Sequence, residues 1–439
     1  MLESIFLMAE ILPFQALRYD AARYPIANLV TQPYDKITPE MQRRYYDASP
    51  YNLVRIILGE QMSGDNHQQN VYTRAAGYLK TWRAEKVLLQ DPTPSIYTYT
   101  QHFTAPGAGA PGLTRKGFIA LGKICEYSEG VVFRHEQTLS KPKSDRLNLL
   151  RSTAAHFGQI FMLYNDPASE VERLLEQSRA ADVSVRDEYG VQHCLWPASD
   201  PETIAKVRRA MADKKLIIAD GHHRYETALN YRNERRAAAP ASQAAPWDYV
   251  MMTFINMASP SLVILPTHRV VAGLPTFNEQ GFFQAARKYF SPEKLASGLS
   301  DAELMQKLRE AGKSSVDLLA ATKNAVWLLR SLPAAQQALA ALPERQRQLD
   351  VIQLHKLLLE GALGMSEESI RNQEHIRYLR DAPEALQQVR NGGANVAFLM
   401  NPVRIEQMRD VAFAGEVMPQ KSTDFYPKLL SGLTIYALE

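Results

Sequence analysis

The chain has 439 residues, with 50 basic and 47 acidic side chains and a formal net charge of +3. Since roughly 100–200 residues form one domain, this length predicts about two to four compact units. The balanced charge argues against a dedicated nucleic-acid-binding protein, and the two cysteines exclude a disulfide-stabilised scaffold.

Hydrophobic periodicity predicts strands and helices that alternate along the whole chain. Predicted strands cover residues 11–14, 53–58, 95–103, 117–121, 160–164, 216–219, 251–256, 262–265, 326–329, 376–379 and 395–400. Predicted helices begin at 39 and just after 221, and cover 71–82, 169–179, 279–289, 302–310, 349–359 and 383–390. This mixture predicts an α/β (mixed α+β) fold.

The N-terminal segment and the hydropathy of the chain bear on its location. Residues 1–8 are short and apolar and lack a basic region, which is untypical of a signal peptide. No run approaches 18 consecutive apolar residues, so we expect no membrane span and no membrane partner. The sequence therefore predicts a cytoplasmic protein.

The most informative segment follows the predicted strand at 216–219 and reads Asp220-Gly221-His222-His223-Arg224. Gly221 permits a sharp turn, and the positive N-terminus of the following helix attracts anions. The two imidazoles and the guanidinium add hydrogen-bond donors, so this turn predicts a phosphate site. Adjacent histidines point in different directions and are a poor metal-ligand pair. Asp220 either caps the helix or binds a divalent cation, and a ligand-free capped helix is the structural alternative.

A second polar segment contains His135 and Glu136, directly after apolar residues. A carboxylate and an imidazole at the end of a strand are suited to accepting a proton from a substrate. The alternative interpretation is a solvated charged loop, because most runs of charge lie on the surface. The chain contains no GxxxxGK[ST] phosphate loop and no set of protein-kinase motifs, so phosphoryl transfer here needs another architecture.

Two further segments carry ligand-binding chemistry. Thr267, His268 and Arg269 end an apolar run, and the guanidinium of Arg269 is able to clamp a carboxylate or a phosphate through two parallel bonds. Lys421 and Ser422 lie in a proline-flanked polar loop near the C-terminus, a setting that often presents ligand-binding groups. Each segment alone is equally compatible with an exposed turn.

Five sequence blocks in a fixed order resemble a bacterial family that is similar to the ParB/sulfiredoxin superfamily, and in particular its free-serine kinases. The blocks are Pro33-Tyr34-Asp35, His135-Glu136-Gln137-Thr138, Ala219-Asp220-Gly221-His222-His223-Arg224-Tyr225-Glu226-Thr227-Ala228, Pro266-Thr267-His268-Arg269 and Met418-Pro419-Gln420-Lys421-Ser422-Thr423. The resemblance implies a ParB/sulfiredoxin-like nucleotide-binding core, with ATP and Mg²⁺ as cofactors and free L-serine as the substrate.

The resemblance also implies roles for individual residues. It assigns catalytic roles to Glu136, Asp220 and His223, with Asp220 also binding the metal. Nucleotide phosphates are expected at Gly221, His222, Arg224, Lys421 and Ser422. The substrate is expected at Asp35, His135, Thr267, His268 and Arg269. The separation of 84 positions from Glu136 to Asp220 is longer than in the compact kinases, so Asp35 is the alternative general base.

These observations predict three regions, an N-terminal α/β region at 1–170, the nucleotide-binding core at 171–275 and a C-terminal α/β region at 276–439. The leading hypothesis is a kinase that converts L-serine to O-phosphoserine with ATP. A non-catalytic, ParB-like nucleotide-binding regulator and a nucleotide hydrolase are the alternatives, because they would use the same phosphate-binding residues.

Overall fold

The computed structural model is a mixed α/β protein and describes residues 9–106, 112–138, 140–238 and 243–439. Residues 1–8, on which the argument against a signal peptide rests, lie outside the described residues. Among the helices that the structure describes, none combines the length and the hydropathy that a membrane crossing requires.

The strands, in chain order, are β1 (Ile11–Leu12), β2 (Leu17–Tyr19), β3 (Leu88–Gln90), β4 (Ile96–Phe103), β5 (Leu113–Lys123), β6 (Val132–Phe133), β7 (Ala155–His156), β8 (Ile160–Tyr164), β9 (Val183–Arg186), β10 (Gln192–Ala198), β11 (Leu216–Asp220), β12 (Tyr249–Asn256), β13 (Val263–Leu265), β14 (His268–Val271), β15 (Phe290–Lys294), β16 (Asp317–Ala321), β17 (Val326–Ser331), β18 (Ile376–Leu379), β19 (Val396–Leu399), β20 (Asp424–Tyr426) and β21 (Tyr436–Ala437).

The α-helices are α1 (Pro39–Ala48), α2 (Val54–Ile57), α3 (Val71–Ala84), α4 (Ser140–Thr153), α5 (Glu170–Leu174), α6 (Pro201–Met211), α7 (His222–Ala238), α8 (Glu279–Ala286), α9 (Asp301–Ala311), α10 (Pro333–Ala338), α11 (Glu344–Arg347), α12 (Asp350–Gln353), α13 (Glu367–Arg371), α14 (Ala382–Arg390) and α15 (Ile405–Phe413). A π-helical segment, Leu354–Ala362, continues α12. Short 3-10 turns lie at Ile26–Asn28, Tyr34–Lys36, Tyr127–Glu129 and Pro246–Asp248.

The chain forms two compact units, each assembled from segments that are distant in sequence. The first unit comprises the chain up to Arg134, Thr138–Val263 and Tyr426–Glu439, and the second comprises His135–Gln137 and Ile264–Phe425. The sequence-based division into 1–170, 171–275 and 276–439 stays a prediction.

The first unit is built on a nine-stranded mixed sheet with the order β6-β11-β8-β12-β5-β4-β10-β9, to which β1 adds by pairing with β5. The pairs β6–β11 and β8–β12 are parallel, and the other neighbours are antiparallel. Helices α6 and α7 cover this sheet because Val207 and Met211 of α6 and Tyr225 and Ala228 of α7 share its apolar core. The sheet therefore fixes the start of α7 beside the end of β11.

A second core of the first unit surrounds helix α3. Leu79 and Trp82 of this helix pack in the same cluster as Leu17, Leu53 and Ile435. Ile435, which lies near the C-terminus, forms a backbone bridge to Leu17 of this core. The last fourteen or so residues of the chain are thus an integral part of the first unit.

The second unit is built on a six-stranded antiparallel sheet with the order β15-β17-β16-β19-β14-β18. Its core contains Val270, Leu319 and Leu399 from the strands, together with Leu386 and Val389 from α14. The apolar side chains of α14 lie three residues apart, the spacing that places them on one helical face. Strand β20 pairs with β13 in a separate ladder.

Most of the predicted elements are confirmed, including the strands at 95–103, 160–164 and 216–219 and the helix that begins after Thr38. The strand predicted at 53–58 is wrong, because this segment is helix α2. The side chain of Asn52 accepts the N–H of Val54 and starts the helix. A short run of buried apolar residues has no periodicity that separates a strand from a helix.

The helix predicted at 169–179 is confirmed only as far as Leu174. Beyond it, the carbonyl of Leu175 accepts hydrogen bonds from the side chains of Thr98 and Gln177. The contact with Thr98 is a tertiary contact, which a helical pattern does not show. Helix α6 and the hairpin of β9 and β10 are elements that the periodicity analysis missed.

Candidate functional site

The Asp220 turn joins the end of β11 to the start of α7. Its central residue, Gly221, has φ +92°, a conformation that residues with a side chain rarely adopt. A Cβ atom at this position would lie 3.0 Å from the Nε and Nη2 atoms of Arg224. Glycine therefore permits both the turn and the return of the Arg224 side chain over it.

The carboxylate of Asp220 is bound by two cations. Arg224 Nη2 lies 2.7 Å from Oδ2, and Lys428 Nζ lies 2.9 Å from Oδ1. Burial alone would raise the pKa of the Asp220 carboxyl, but Lys428 and Arg224, together with Lys36, hold it well below its usual range. Asp220 is therefore ionised, and it orients the two cations at the helix N-terminus.

A small cavity lies beside this turn, with a volume of about 70 Å³. Tyr34, Arg146 and Arg224 are among its walls, and the guanidinium of Arg146 stacks on the Tyr34 ring at 4.1 Å. Asp35, the alternative base, is exposed in the 3-10 turn that also contains Tyr34.

The two histidines of the turn differ in exposure. His222 is buried, whereas His223 is half-buried and its carbonyl accepts a hydrogen bond from Thr227 Oγ1 at 2.7 Å. Both belong to the first turn of α7, whose leading N–H groups have no partner within the helix. Their predicted phosphate-binding and catalytic roles stay predictions.

Mg²⁺ does not fit Asp220 as a direct ligand in this arrangement. Each carboxylate oxygen already binds a cation, and an entering metal would have to displace Lys428 or Arg224. Within the described ranges, no three His, Cys, Asp or Glu side chains are grouped as metal ligands.

A second polar cluster lies in the second unit and brings together two of the sequence blocks. Glu136 Oε1 accepts the backbone N–H of Thr423 at 2.7 Å and its hydroxyl at 2.8 Å. The same hydroxyl lies 2.8 Å from Nε2 of His135, which is fully buried. Thr423 therefore orients both members of the predicted His-Glu pair.

Arg269 brings a third block into this cluster, since its guanidinium donates to the carbonyls of Thr267 and Lys421. The side chain is fully buried and contacts the ring of Tyr378 at 5.1 Å. Burial lowers the pKa of Arg269 to about 10, against the opposing effect of Tyr378 and Glu136. Arginine nevertheless stays charged at neutral pH.

Two buried polar atoms of this cluster have no hydrogen-bond partner among the described residues: Nε of Arg269 and Nε2 of His355. Burial, with the nearby charge of Arg269, lowers the pKa of His355, so this imidazole is neutral. Buried polar groups without partners are costly, and in native proteins they often mark a ligand site. The cluster is therefore suited to a polar ligand.

Other predicted ligand residues have structural partners. His268 Nδ1 accepts the N–H of Met400, and burial lowers the pKa of His268 to about 4. The hydroxyl of Ser422 donates to the carbonyl of Pro419 and closes a turn, and Lys421 has φ +59° in that turn. These contacts hold the loop, and the predicted binding roles of the three residues stay predictions.

Several residues of both clusters had no independent signal in the sequence. Lys36 and Lys428, which act on Asp220, are ordinary lysines in polar loops. Tyr378 and His355 of the second cluster lie on separate predicted elements. Only their contacts, made over long sequence separations, connect them to the predicted blocks.

The comparisons with known proteins identify the family. The family model described as Protein of unknown function (DUF1015) matches residues 11–352, and the chain belongs to this family. This match confirms the family membership expected from the sequence blocks and includes the first four of them. No curated protein matches the chain.

Solved structures similar to this chain include a mutant free serine kinase in complex with AMP, with 10% identity and a TM-score of 0.36 over 69% of this chain and 89% of that one. A conserved hypothetical protein from Pyrococcus furiosus has 10% identity and a TM-score of 0.34 over 69% and 92%. SbnI with a C-terminal truncation, from Staphylococcus aureus, has 10% identity and a TM-score of 0.33 over 72% and 87%. TM-scores this low do not establish a shared fold.

Proposed function

We propose that this protein transfers the γ-phosphoryl group of ATP to free L-serine and releases ADP and O-phosphoserine. The observation that carries the proposal is the Asp220 turn. It combines a helix N-terminus with the cations of Lys428, Arg224 and Lys36. Such a turn binds the phosphates of a nucleotide through backbone N–H groups and positive charge.

The choice of L-serine as the phosphoryl acceptor rests on the resemblance of the sequence blocks to free-serine kinases. We infer on the same ground that the first unit contains a ParB/sulfiredoxin-like nucleotide-binding core. Phosphoryl transfer needs positioning and charge neutralisation more than covalent chemistry. Polar side chains held by neighbouring groups, as in both clusters, suit that requirement.

The general base of the proposed reaction is Glu136. Its carboxylate takes the hydroxyl proton of serine while the serine oxygen forms a bond to the γ-phosphorus, and the bond from that phosphorus to the bridging oxygen of ATP breaks. Thr423 orients the Glu136 carboxylate through two hydrogen bonds. The alternative base, Asp35, is exposed in a short turn, so its geometry is less constrained.

Phosphorus NMR of the full chain with ATP, Mg²⁺ and L-serine tests the reaction beside a sample without serine. We expect a phosphoserine resonance that requires serine. Free phosphate without phosphoserine would instead identify a nucleotide hydrolase. Binding of ADP by calorimetry without any turnover would identify a non-catalytic nucleotide-binding protein.

A pair of variants decides which carboxylate is the base. Glu136→Gln is expected to lower kcat by about 10²–10⁴-fold, the usual contribution of a general base, and to leave ADP affinity unchanged. Asp35→Asn serves as the matched variant and should retain most of the turnover. The reverse result would assign the base to Asp35, and near-full turnover of both variants would refute both assignments.

A further inference from the structure

A cavity of about 300 Å³ lies in the first unit, away from the Asp220 turn. Side chains of β4, β5, β8 and β10 form its floor, and α5 with the following residues covers it. In β8, Phe161 pairs with Asp220, and Tyr164 of the cavity wall lies three residues further along the strand. At about 3.3 Å per residue this is a separation of roughly 10 Å along β8.

Most polar side chains of the cavity wall have partners within the protein. These contacts are Thr98 Oγ1 to the carbonyl of Leu175 at 3.3 Å, His102 Nδ1 with Thr114 Oγ1 at 2.9 Å, Trp196 Nε1 to the carbonyl of Arg179 at 3.0 Å, and Lys116 Nζ to Glu176 Oε1 at 3.5 Å. These groups therefore do not require a ligand.

Two polar atoms of the wall differ from the rest. Among the described residues, neither the hydroxyl of Tyr164 nor Oε1 of Glu172 has a hydrogen-bond partner, and both atoms are buried. Tyr164 is 0% exposed. Native proteins satisfy nearly all buried polar atoms, so two such atoms in one cavity indicate an absent partner.

Both atoms belong to side chains that line the same cavity. Burial raises the pKa of Tyr164, and the charge of Glu172 raises it further. Burial raises the pKa of Glu172, against the opposing effects of Lys116 and of the almost fully buried Asn256. The phenol oxygen and the carboxylate oxygen both accept hydrogen bonds.

We propose that this cavity binds a small primary amine with an apolar body, whose ammonium group donates to Glu172 Oε1 and to the Tyr164 oxygen. The apolar body packs against Phe118, Val171 and Leu175, which also line the cavity. The volume lies at the lower end of the range for small-molecule sites. The Glu172 carboxylate excludes anions, so the site is separate from the proposed phosphate site and independent of the kinase activity.

The test uses three probes that share a phenyl ring on a two-carbon linker and differ in their polar group: 2-phenylethylamine, 2-phenylethanol and 3-phenylpropionate. Binding to the full chain is measured by saturation-transfer NMR and by calorimetry. We expect the amine to bind with a Kd of about 1 mM or lower and the alcohol roughly tenfold more weakly. We expect no saturable binding of the carboxylate.

Substitutions in the cavity wall test whether the amine binds in this cavity and at Glu172. Glu172→Gln should lower the affinity for the amine by about tenfold or more, since it removes a charge-assisted hydrogen bond. Thr114→Trp, at a half-buried position of the wall, should block the cavity without changing either polar atom. Glu170→Gln, an exposed position in the same helix, is the matched control and should bind as the wild type does.

Three results would overturn the proposal: equal affinity for the amine and the alcohol, no saturable binding of the amine up to about 10 mM, or unchanged binding in both Glu172→Gln and Thr114→Trp. The second of these would mean that the cavity holds only water. Circular dichroism of each variant separates loss of the site from loss of the fold. Serine phosphorylation should be unaffected by Glu172→Gln, so failure of one proposal leaves the other standing.

Discussion

The ion pair of Lys428 and Asp220 ties the C-terminal segment to the candidate phosphate site, and Lys428→Met tests it. The Nζ–Oδ1 distance is 2.9 Å, and the side chains are 8% and 22% exposed. At an effective dielectric constant of about 20, the gross attraction at this distance is roughly 6 kcal/mol. Burying the ammonium offsets several kcal/mol of that attraction.

The net effect of Lys428→Met is therefore expected to be a loss of about 1–3 kcal/mol in the free energy of unfolding. A loss of 3–5 kcal/mol is typical when a buried charge is left entirely without a partner. Arg224 remains 2.7 Å from the other oxygen of Asp220 and compensates part of the charge. Methionine has a similar volume, so the substitution opens little space.

Tryptophan fluorescence during guanidinium unfolding can report this change for the first unit alone. Of the four tryptophans, Trp82, Trp196 and Trp247 lie in the first unit and Trp327 lies in the second. All variants are therefore compared in a Trp327→Phe background. A double-mutant cycle with Asp220→Asn should give a coupling energy of about 1–3 kcal/mol.

The pH dependence provides a second check on the same pair. Because the folded pKa of Asp220 is depressed, its stabilisation is complete above the unfolded pKa of about 3.9 and is lost as the pH falls through the folded pKa. The unfolded-state titration is the same in wild type and Lys428→Met, so the difference between them should be constant near neutral pH and shrink only at acid pH, once Asp220 of the folded variant becomes protonated. Additive single effects, with coupling under about 0.5 kcal/mol, would refute the reasoning.

Three further predictions follow from local environments. Gly221→Ala should lose about 1–3 kcal/mol by thermal unfolding and weaken ADP binding, because φ is +92° and the new Cβ would displace Arg224; unchanged ADP affinity would contradict the proposed site. Arg115→Met should lose about 2–4 kcal/mol and expose the C-terminal segment to proteolysis, since the buried guanidinium donates to two of its carbonyls. Burial raises the pKa of the Cys125 thiol to about 11, so Ellman's reagent at about pH 8 should titrate only the half-buried Cys194 in the folded chain; reaction of both thiols would contradict this.

Hydrophobic periodicity within a segment correctly predicted those helices and strands whose buried positions repeat at a regular spacing. Helix α3 repeats buried positions at Ala75, Leu79 and Trp82. The alternation of residue types predicted β4, although both faces of this strand are buried and seven of its eight residues are inaccessible. The segment at 53–58 was predicted wrongly because four of its five apolar residues are fully buried, which removes the periodicity. Packing around α2, and not propensity, selected the helix.

The sequence by itself determined the blocks that carry chemistry, because each is a short run of residue types with a local meaning. The turn at Gly221 and the helix N-terminus after it are of this kind. Only the tertiary structure decided which groups meet there. Lys428 reaches Asp220 across 208 residues, and Thr423 reaches Glu136 across 287. Contacts at such separations depend on strand order and sheet packing, which leave no local pattern in the chain.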